Sequence, residues 1–186
     1  MNPAEVLTEQ GIVDLYERHA PDLFQYCARR VGPDTAQDIV GSTFLIAFEH
    51  RRRYDPAEAP APAWLYGIAT NLLRRHRRDE VRAYRALART GVDPLEVDNH
   101  AQRADERIDA RATSRLIAGV LGALPHRHRD VLLLSAIGEM EPMEIAAALH
   151  MPVGTVRSIL HRTRAKLRAG LITDTHQGTV VNGDSA

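Results

Sequence analysis

Apolar residues spaced three or four apart run through almost the whole of this chain, and that spacing constrains the fold more than any other feature. Ile12, Leu15, Tyr16, Leu23 and Tyr26, with His19, mark one such stripe, which stops near Gly32. A repeat of 3.6 residues puts these positions on one face of a helix, whereas a strand would need alternation. Strand-like alternation between turn signals is absent, so the expected fold class is all-α. Gly32 suits the position just after a helix because glycine enters the left-handed region without steric cost. A second helix is predicted from about Asp34, with Ile39, Val40, Phe44, Ala47 and Phe48 on its inner face. Tyr54 to Ala63, "YDPAEAPAPA", is too rich in proline to continue it and reads as a loop. A third helix carries Trp64, Leu65, Ile68, Ala69, Leu72 and Leu73 and runs on into "RRHRRDEVRAYRALAR".

The character changes at Gly91. "GVDPLEVDNHAQRADERIDA" is acidic, poor in aromatics and broken by Pro94, which marks a linker. Helical spacing returns with Leu116, Ile117, Val120, Leu121 and Leu124, and Pro125 interrupts it. The expected organisation is a first domain at residues 10–90, a linker at 91–112, a second domain at 113–172, and a polar, frayed tail at 173–186. No internal repeat is present.

Composition excludes more than it selects. The 24 basic and 24 acidic residues cancel, so affinity for nucleic acid must come from charge segregated along the chain. Apolar runs are far shorter than the roughly 20 residues that span a bilayer, so no membrane insertion is expected. The N-terminus lacks a basic start followed by an apolar run, so no signal peptide is expected, and the cytoplasm is the expected location. Cys27, the single cysteine, cannot form an internal disulfide. Lys166 is the only lysine. Arginine offers the better fork for phosphate and base edges, although an Ala- and Arg-rich chain equally reflects a GC-rich genome.

Charge is segregated most sharply near the C-terminus. "PMEIAAALHMPVGTVRSILHRTRAKLR" divides into a short helix opened by Pro142, a turn at "HMP", and a longer helix. Ile145, Ala146 and Leu149 form the inward stripe of the first, and Ala147 and Ala148 are small enough for a close crossing. This is the helix-turn-helix layout, whose second helix lies in the major groove. On that second helix Val156, Leu160, Thr163 and Leu167 point toward the first. Arg157, Ser158, His161, Arg162, Ala165 and Arg168 cover the opposite side, flanked by Thr155, Arg164 and Lys166. No acid occurs between Glu144 and Asp174. A solvated face normally mixes both signs, because opposite charges four residues apart support a helix. A wholly cationic face fits phosphates and base edges better, although a basic solvated helix in a bundle would share this outline.

Seven arginines against two acids between Arg74 and Arg89 make a second basic segment. Trp64 suits either the core or a nucleic-acid site. Asn71 lies on an otherwise apolar face, where a buried amide would need partners. The histidines do not make a metal site: His126 and His128 are two apart and diverge on a helix. Asp38, Asp55 and Glu58 form no acid/base pair, and Ser42 and Ser158 lack a nucleophile's surroundings. Neither a catalytic centre nor a cofactor is expected.

The C-terminal segment from Leu124-Pro125, with Arg129, Val131, Glu144-Ile145-Ala146, Pro152, Gly154-Thr155-Val156-Arg157-Ser158 and Arg164, resembles the fourth conserved region of bacterial sigma factors of the extracytoplasmic-function (ECF) class. "LYERHAPDLFQYCARRVG", "AQDIVGSTFLIAF" and "AWLYGIATNLLRRHRR" independently resemble the second region. The resemblance implies two helical domains that bind core RNA polymerase, recognise the −35 and −10 promoter elements and help open the duplex, with no chemistry of their own. It implies −35 contacts at Thr155, Arg157, Ser158, His161, Arg162 and Arg164, and −10 contacts at Tyr54, Trp64, Asn71, Arg74, Arg75 and Arg78. Residues Tyr54 to Pro62 would form the loop that captures a flipped base. Asp38, Ile39, Thr43 and Phe44 would lie on the polymerase-binding helix, and the acidic linker would thread polymerase channels. An anti-sigma protein is a further implied partner.

Two departures stand out. Gly41-Ser42 replaces a pair that carries a carboxylate in many relatives, and glycine costs about 1 kcal/mol against alanine in a helix interior. Ile159 and His161 stand where cations or an aromatic are frequent, which leaves the preferred −35 sequence open. The alternative reading is a free-standing helix-turn-helix regulator with an N-terminal sensing domain.

Overall fold

The computed structural model describes residues 7–91 and 104–178, and within them every regular element is helical. The order is α1 (Glu9–Val31), α2 (Pro33–His50), α3 (Ala61–Leu73), α4 (Arg77–Thr90), α5 (Ala104–Ala123), α6 (His126–Ala136), α7 (Pro142–Leu149) and α8 (Val153–Gly178). Short 3₁₀ turns at Arg51–Arg53 and Arg74–His76 follow α2 and α3.

Local chemistry sets the boundaries. Thr8 caps α1, its hydroxyl accepting from the Gly11 N–H at 3.1 Å. Gly32, at φ +84°, ends α1 by donating its N–H to the Ala28 carbonyl at 2.9 Å, and Pro33 opens α2 immediately. The continuous third helix expected from the sequence is broken: the turn at Arg74–His76 separates α3 from α4. α5 begins at Ala104, inside the span read as linker, and α8 runs to Gly178, inside the span read as tail. The rest of the expected linker from residue 92, and of the tail from residue 179, lies outside the described residues.

α1 to α4 enclose Leu15, Leu23, Tyr26, Phe44, Leu65, Leu73 and Tyr84. α5 to α8 enclose Leu121, Val131, Leu134, Ile145, Val156 and Leu160. The two sets also pack on each other. α4 lies along α5, and α3 crosses α7 so closely that a β-carbon on Gly67 would stand 2.6 Å from the Ala148 carbonyl oxygen. Ala148 therefore serves the close crossing expected of it, although the partner is α3.

Four charged side chains sit in this seam, each at most 3% exposed. Arg30 of α1 donates to Glu80 of α4 at 2.7 Å and to Asp130 of α6 at 2.6 Å. Arg129 of α6 donates to Glu80 at 3.0 Å and to the carbonyls of Leu121 and Leu124 at 2.8 and 3.0 Å. Arg30 also reaches the Tyr26 hydroxyl at 2.6 Å, which in turn bonds Thr70 at 2.9 Å. Burial alone would push the Arg30 guanidinium down, yet Tyr26, Glu80 and Asp130 hold it well above its ordinary range.

Candidate nucleic-acid interface

The helix-turn-helix is built from α7 and α8. Glu141 and Glu144 form a capping box at the start of α7, with the Glu141 N–H donating to the Glu144 carboxylate at 2.8 Å. His150 closes α7 in the left-handed region at φ 50°. Val156, Ile159, Leu160 and Thr163 are buried, with the Thr163 hydroxyl donating to the Ile159 carbonyl at 2.8 Å. The sequence raised Ile159 as a position bearing on promoter preference; its side chain is only 3% exposed and belongs to the core. His161 alone of the two departures faces outward.

Thr155, Arg157, Ser158, His161, Arg162 and Arg164 are all exposed along α8. Arg164 is steadied by a bond to the Ser135 hydroxyl at 3.0 Å, and Arg162 donates back to the Ser158 carbonyl at 3.3 Å. Among the described residues no ion pair involves any cation of α8. The face therefore keeps its positive charge for an outside partner.

The N-terminal half builds a different surface. Tyr54 and Trp64 stack with centroids 4.7 Å apart and planes inclined 33°. The Tyr54 hydroxyl donates to the Ala59 carbonyl at 2.9 Å, and the Asp55 carboxylate accepts from the Ala57 N–H at 2.8 Å, which shapes the proline-rich loop. Partial burial, then the nearby Asp55, pushes the Tyr54 phenol up. The ring pair helps line a cavity of about 280 Å³, together with Ile46, His50, Arg53 and Ile68. His50 and Arg53 were not singled out from sequence; nothing in helical spacing shows that the end of α2 meets the start of α3.

Trp64, Ile68 and Asn71 follow one another at four and three residues, so they make a single stripe of α3, which leads from the cavity toward the basic segment that begins at Arg74. Asn71 is exposed. Its hydrogen-bonding groups are open to solvent and need no partner within the fold. Arg74, Arg75 and Arg78 are exposed as well. Tyr54 and Trp64 thus stand at the start of α3, Asn71 near its end, and Arg74, Arg75 and Arg78 beyond it.

The polymerase-binding expectation needs revision. Ile39, Thr43 and Phe44 are 5%, 0% and 7% exposed, Thr43 donating to the Ile39 carbonyl at 2.7 Å and Phe44 meeting Tyr16 edge-on at 4.9 Å. They hold α2 against α1 and present nothing to a partner. Asp38 is exposed and heads a stripe of Ser42, Leu45 and Glu49 at helical spacing, all exposed, Leu45 to 59%. Leu45 is an apolar residue on the outer side of α2 that the sequence analysis did not single out.

Among the described residues no cluster of side chains could hold a metal ion, and no helix is long and apolar enough to cross a membrane.

A helix-turn-helix whose outer face carries cations and no acid, in a chain whose regular elements are all helical among the described residues, has the make-up of a DNA-binding protein. Sigma-70 region 2 matches residues 15–83, and Sigma-70 region 4 matches residues 114–167. The RNA polymerase sigma factor CnrH of Cupriavidus metallidurans is 34% identical over 176 residues, covering 91% of each chain. The ECF RNA polymerase sigma factor SigW of Bacillus subtilis is 30% identical over 166 residues, covering 86% of this chain and 87% of its own. Among solved structures, CnrH in complex with the cytosolic domain of CnrY aligns with a TM-score of 0.62 at 27% identity, covering 92% of this chain and 96% of that one. The chain belongs to the ECF group of the sigma-70 family. It is a transcription initiation factor that binds core RNA polymerase and recognises −35 and −10 promoter elements. The alternative of a free-standing regulator is not favoured, because the half it would assign to sensing is region 2.

Proposed function

We propose that the two exposed surfaces divide the promoter between them. The outer face of α8 enters the −35 major groove, with Arg157, Ser158, His161 and Arg162 toward base edges and Thr155 and Arg164 toward phosphates. The cavity that Tyr54 and Trp64 help line receives an unpaired −10 base, Asn71 meets a neighbouring base, and Arg74, Arg75 and Arg78 follow the backbone. The observation that carries this reading is the α3 stripe, which joins an aromatic cavity to an exposed amide and then to cations. Single-stranded nucleic acid is held by that combination, since every base offers a π-face and every linkage a charge. Extrusion of a base costs a few kcal/mol, which stacking must recover.

The exposed Asp38–Ser42–Leu45–Glu49 stripe of α2 meets a coiled coil of the polymerase. The chain supplies no catalytic group; bond formation is the polymerase's, and the setting is the cytoplasm. An anti-sigma protein is a further proposed partner; the similar factor CnrH is solved in complex with the cytosolic domain of CnrY.

Run-off transcription with core polymerase, on a duplex promoter and on one premelted at −10, tests the division. The full chain stimulates both templates, and Trp64→Ala loses more on the duplex than on the premelted one. Tight binding to the −35 duplex without stimulation of core polymerase would overturn the reading.

A further inference from the structure

We infer, resting on the promoter reading above, that the cavity chooses its base at the end of α2, through His50 and Arg53, and that the base chosen is cytosine. The resemblance gives capture to the loop from Tyr54 to Pro62 and gives neither of these two residues a role. Capture and choice are separate tasks. Rings hold any base by its face. Identity is read by hydrogen bonds along the Watson–Crick edge of a base taken out of the stack.

The groups around the cavity decide which edge fits. Ile46, Ile68 and the rings of Tyr54 and Trp64 are apolar wall. The Tyr54 hydroxyl gives its one proton to the Ala59 carbonyl at 2.9 Å, so it brings no donor. His50 and Arg53 remain. The Nδ1 of His50 lies 3.0 Å from the carbonyl oxygen of Ile46, one turn back on α2. A carbonyl only accepts, so Nδ1 carries the proton, and Nε2 of the neutral ring is left with a lone pair. The helix thus fixes the tautomer, and His50 brings an acceptor. Arg53 brings donors alone, in a planar fork. Its neighbour Arg51 is engaged within the fold: it pairs with Glu9 at 3.5 Å, donates to the Phe48 carbonyl at 2.7 Å and lies over the Phe48 ring at 4.0 Å. Arg53 is exposed and has no such bond or ion pair among the described residues.

One acceptor beside a fork of donors complements a single Watson–Crick edge. Cytosine shows an amino donor followed by two adjacent acceptors, its ring nitrogen and its carbonyl. Adenine shows the amino donor and one acceptor. Thymine sets its N–H between two carbonyls, and guanine shows one acceptor followed by two donors. Cytosine alone can give its amino group to His50 while both of its acceptors take the Arg53 fork. The bond to Ile46 would exist equally if His50 merely capped the last turn of α2. Capping uses Nδ1 only, so the two roles are separable.

The test uses the full chain with core polymerase, at pH 8 so that imidazole is neutral. Competition binding is measured with −10 single strands in which each position carries each base in turn. The captured position is the one whose base preference disappears in Trp64→Ala. There the wild-type chain should favour cytosine by about tenfold over the other three bases. It should lose a similar factor with pyrimidin-2-one, which is cytosine without its amino group. His50→Lys exchanges the acceptor for donors and keeps a cation at the C-terminal end of α2, where the helix dipole favours one. That variant should retain helicity and no longer distinguish cytosine from pyrimidin-2-one. Arg53→Ala should narrow the margin of cytosine over adenine, which offers the fork a single acceptor. A wild-type chain indifferent to pyrimidin-2-one, or one that prefers another base, would overturn the inference. So would a cytosine preference that survives His50→Lys in a helical protein. Should that variant lose helicity, the analogue on the wild-type chain decides. If no position answers to Trp64→Ala, the reading of the cavity as the −10 site itself falls.

Discussion

The two reading surfaces use different chemistry, and the difference follows the state of the DNA each is proposed to meet. All nine aromatic residues, five Tyr, three Phe and one Trp, lie at or before Tyr84, so the C-terminal domain has none. Its α8 offers an unbroken row of Arg, Ser and His on a straight helix, with Val156, Ile159 and Leu160 behind it. α3 offers instead a ring pair lining a cavity, and cations only beyond it. An intact duplex hides its base faces and shows edges and phosphates, so forks and hydroxyls suffice there. An opened strand shows faces, and only rings or apolar walls use them well.

The largest effect should come from Trp64→Ala. Loss of one stacked base costs about 1–3 kcal/mol, or roughly 5- to 150-fold in opening of a duplex promoter; the assay is run-off yield, with −35 duplex binding unchanged. If −35 binding fell equally, the surfaces would not be separable and the comparison would break. Arg157→Ala should cost 1–3 kcal/mol, about as much at most, but chiefly as lost discrimination among −35 sequences. Competition binding with single-base variants of the element measures it, and circular dichroism should show unchanged helicity. A substantial loss of helix in that variant would mean that its face was misassigned.

A smaller effect separates positioning from reading. Arg75→Ala should weaken binding to single strands of every sequence alike and flatten the dependence of log K on log salt by about 0.7. A sequence-dependent loss would make Arg75 a reader. The smallest effect at neutral pH is alkaline. Burial pushes the Tyr26 phenol and the Cys27 thiol up to about 12, from 10.0 and 9.0, and raises Tyr66 and Tyr84. Their contribution is complete below the unfolded values and is lost as pH climbs from about 9 toward 12, because the unfolded chain gives up protons first. Chemical melts between pH 8 and 11 should show the N-terminal domain weakening before the C-terminal one, which holds neither Tyr nor Cys.

Sequence periodicity was a good guide wherever the cause is local. The Gly32 stop, the Pro142 start, the turn at His150 and the outward row on α8 all follow from residues within one or two turns. Less was legible wherever the cause is distant. Arg129 matches a family pattern, yet its partner Glu80 lies 49 positions away and no spacing rule connects them. Ile39 and Phe44 were legible from periodicity as the inner face of α2, and their burial, with that of Thr43, shows that the contact role implied by the resemblance does not fall on them. Asn71 lies among apolar neighbours in sequence, and only the fold shows that its amide is turned to solvent. The start of α5 was hidden by acids and Pro94, which resemble a linker whether or not helix resumes at Ala104.

The burial of Cys27 has a practical consequence. A thiol held that far above neutrality is nearly devoid of thiolate at pH 7 to 8 and shielded from reagents. Cysteines introduced on the exposed sides of α2 and α8 would then be the only groups that take up a maleimide dye. The natural chain, with no residue removed, is ready for donor and acceptor labelling, and the distance between α2 and α8 can be measured molecule by molecule with and without polymerase.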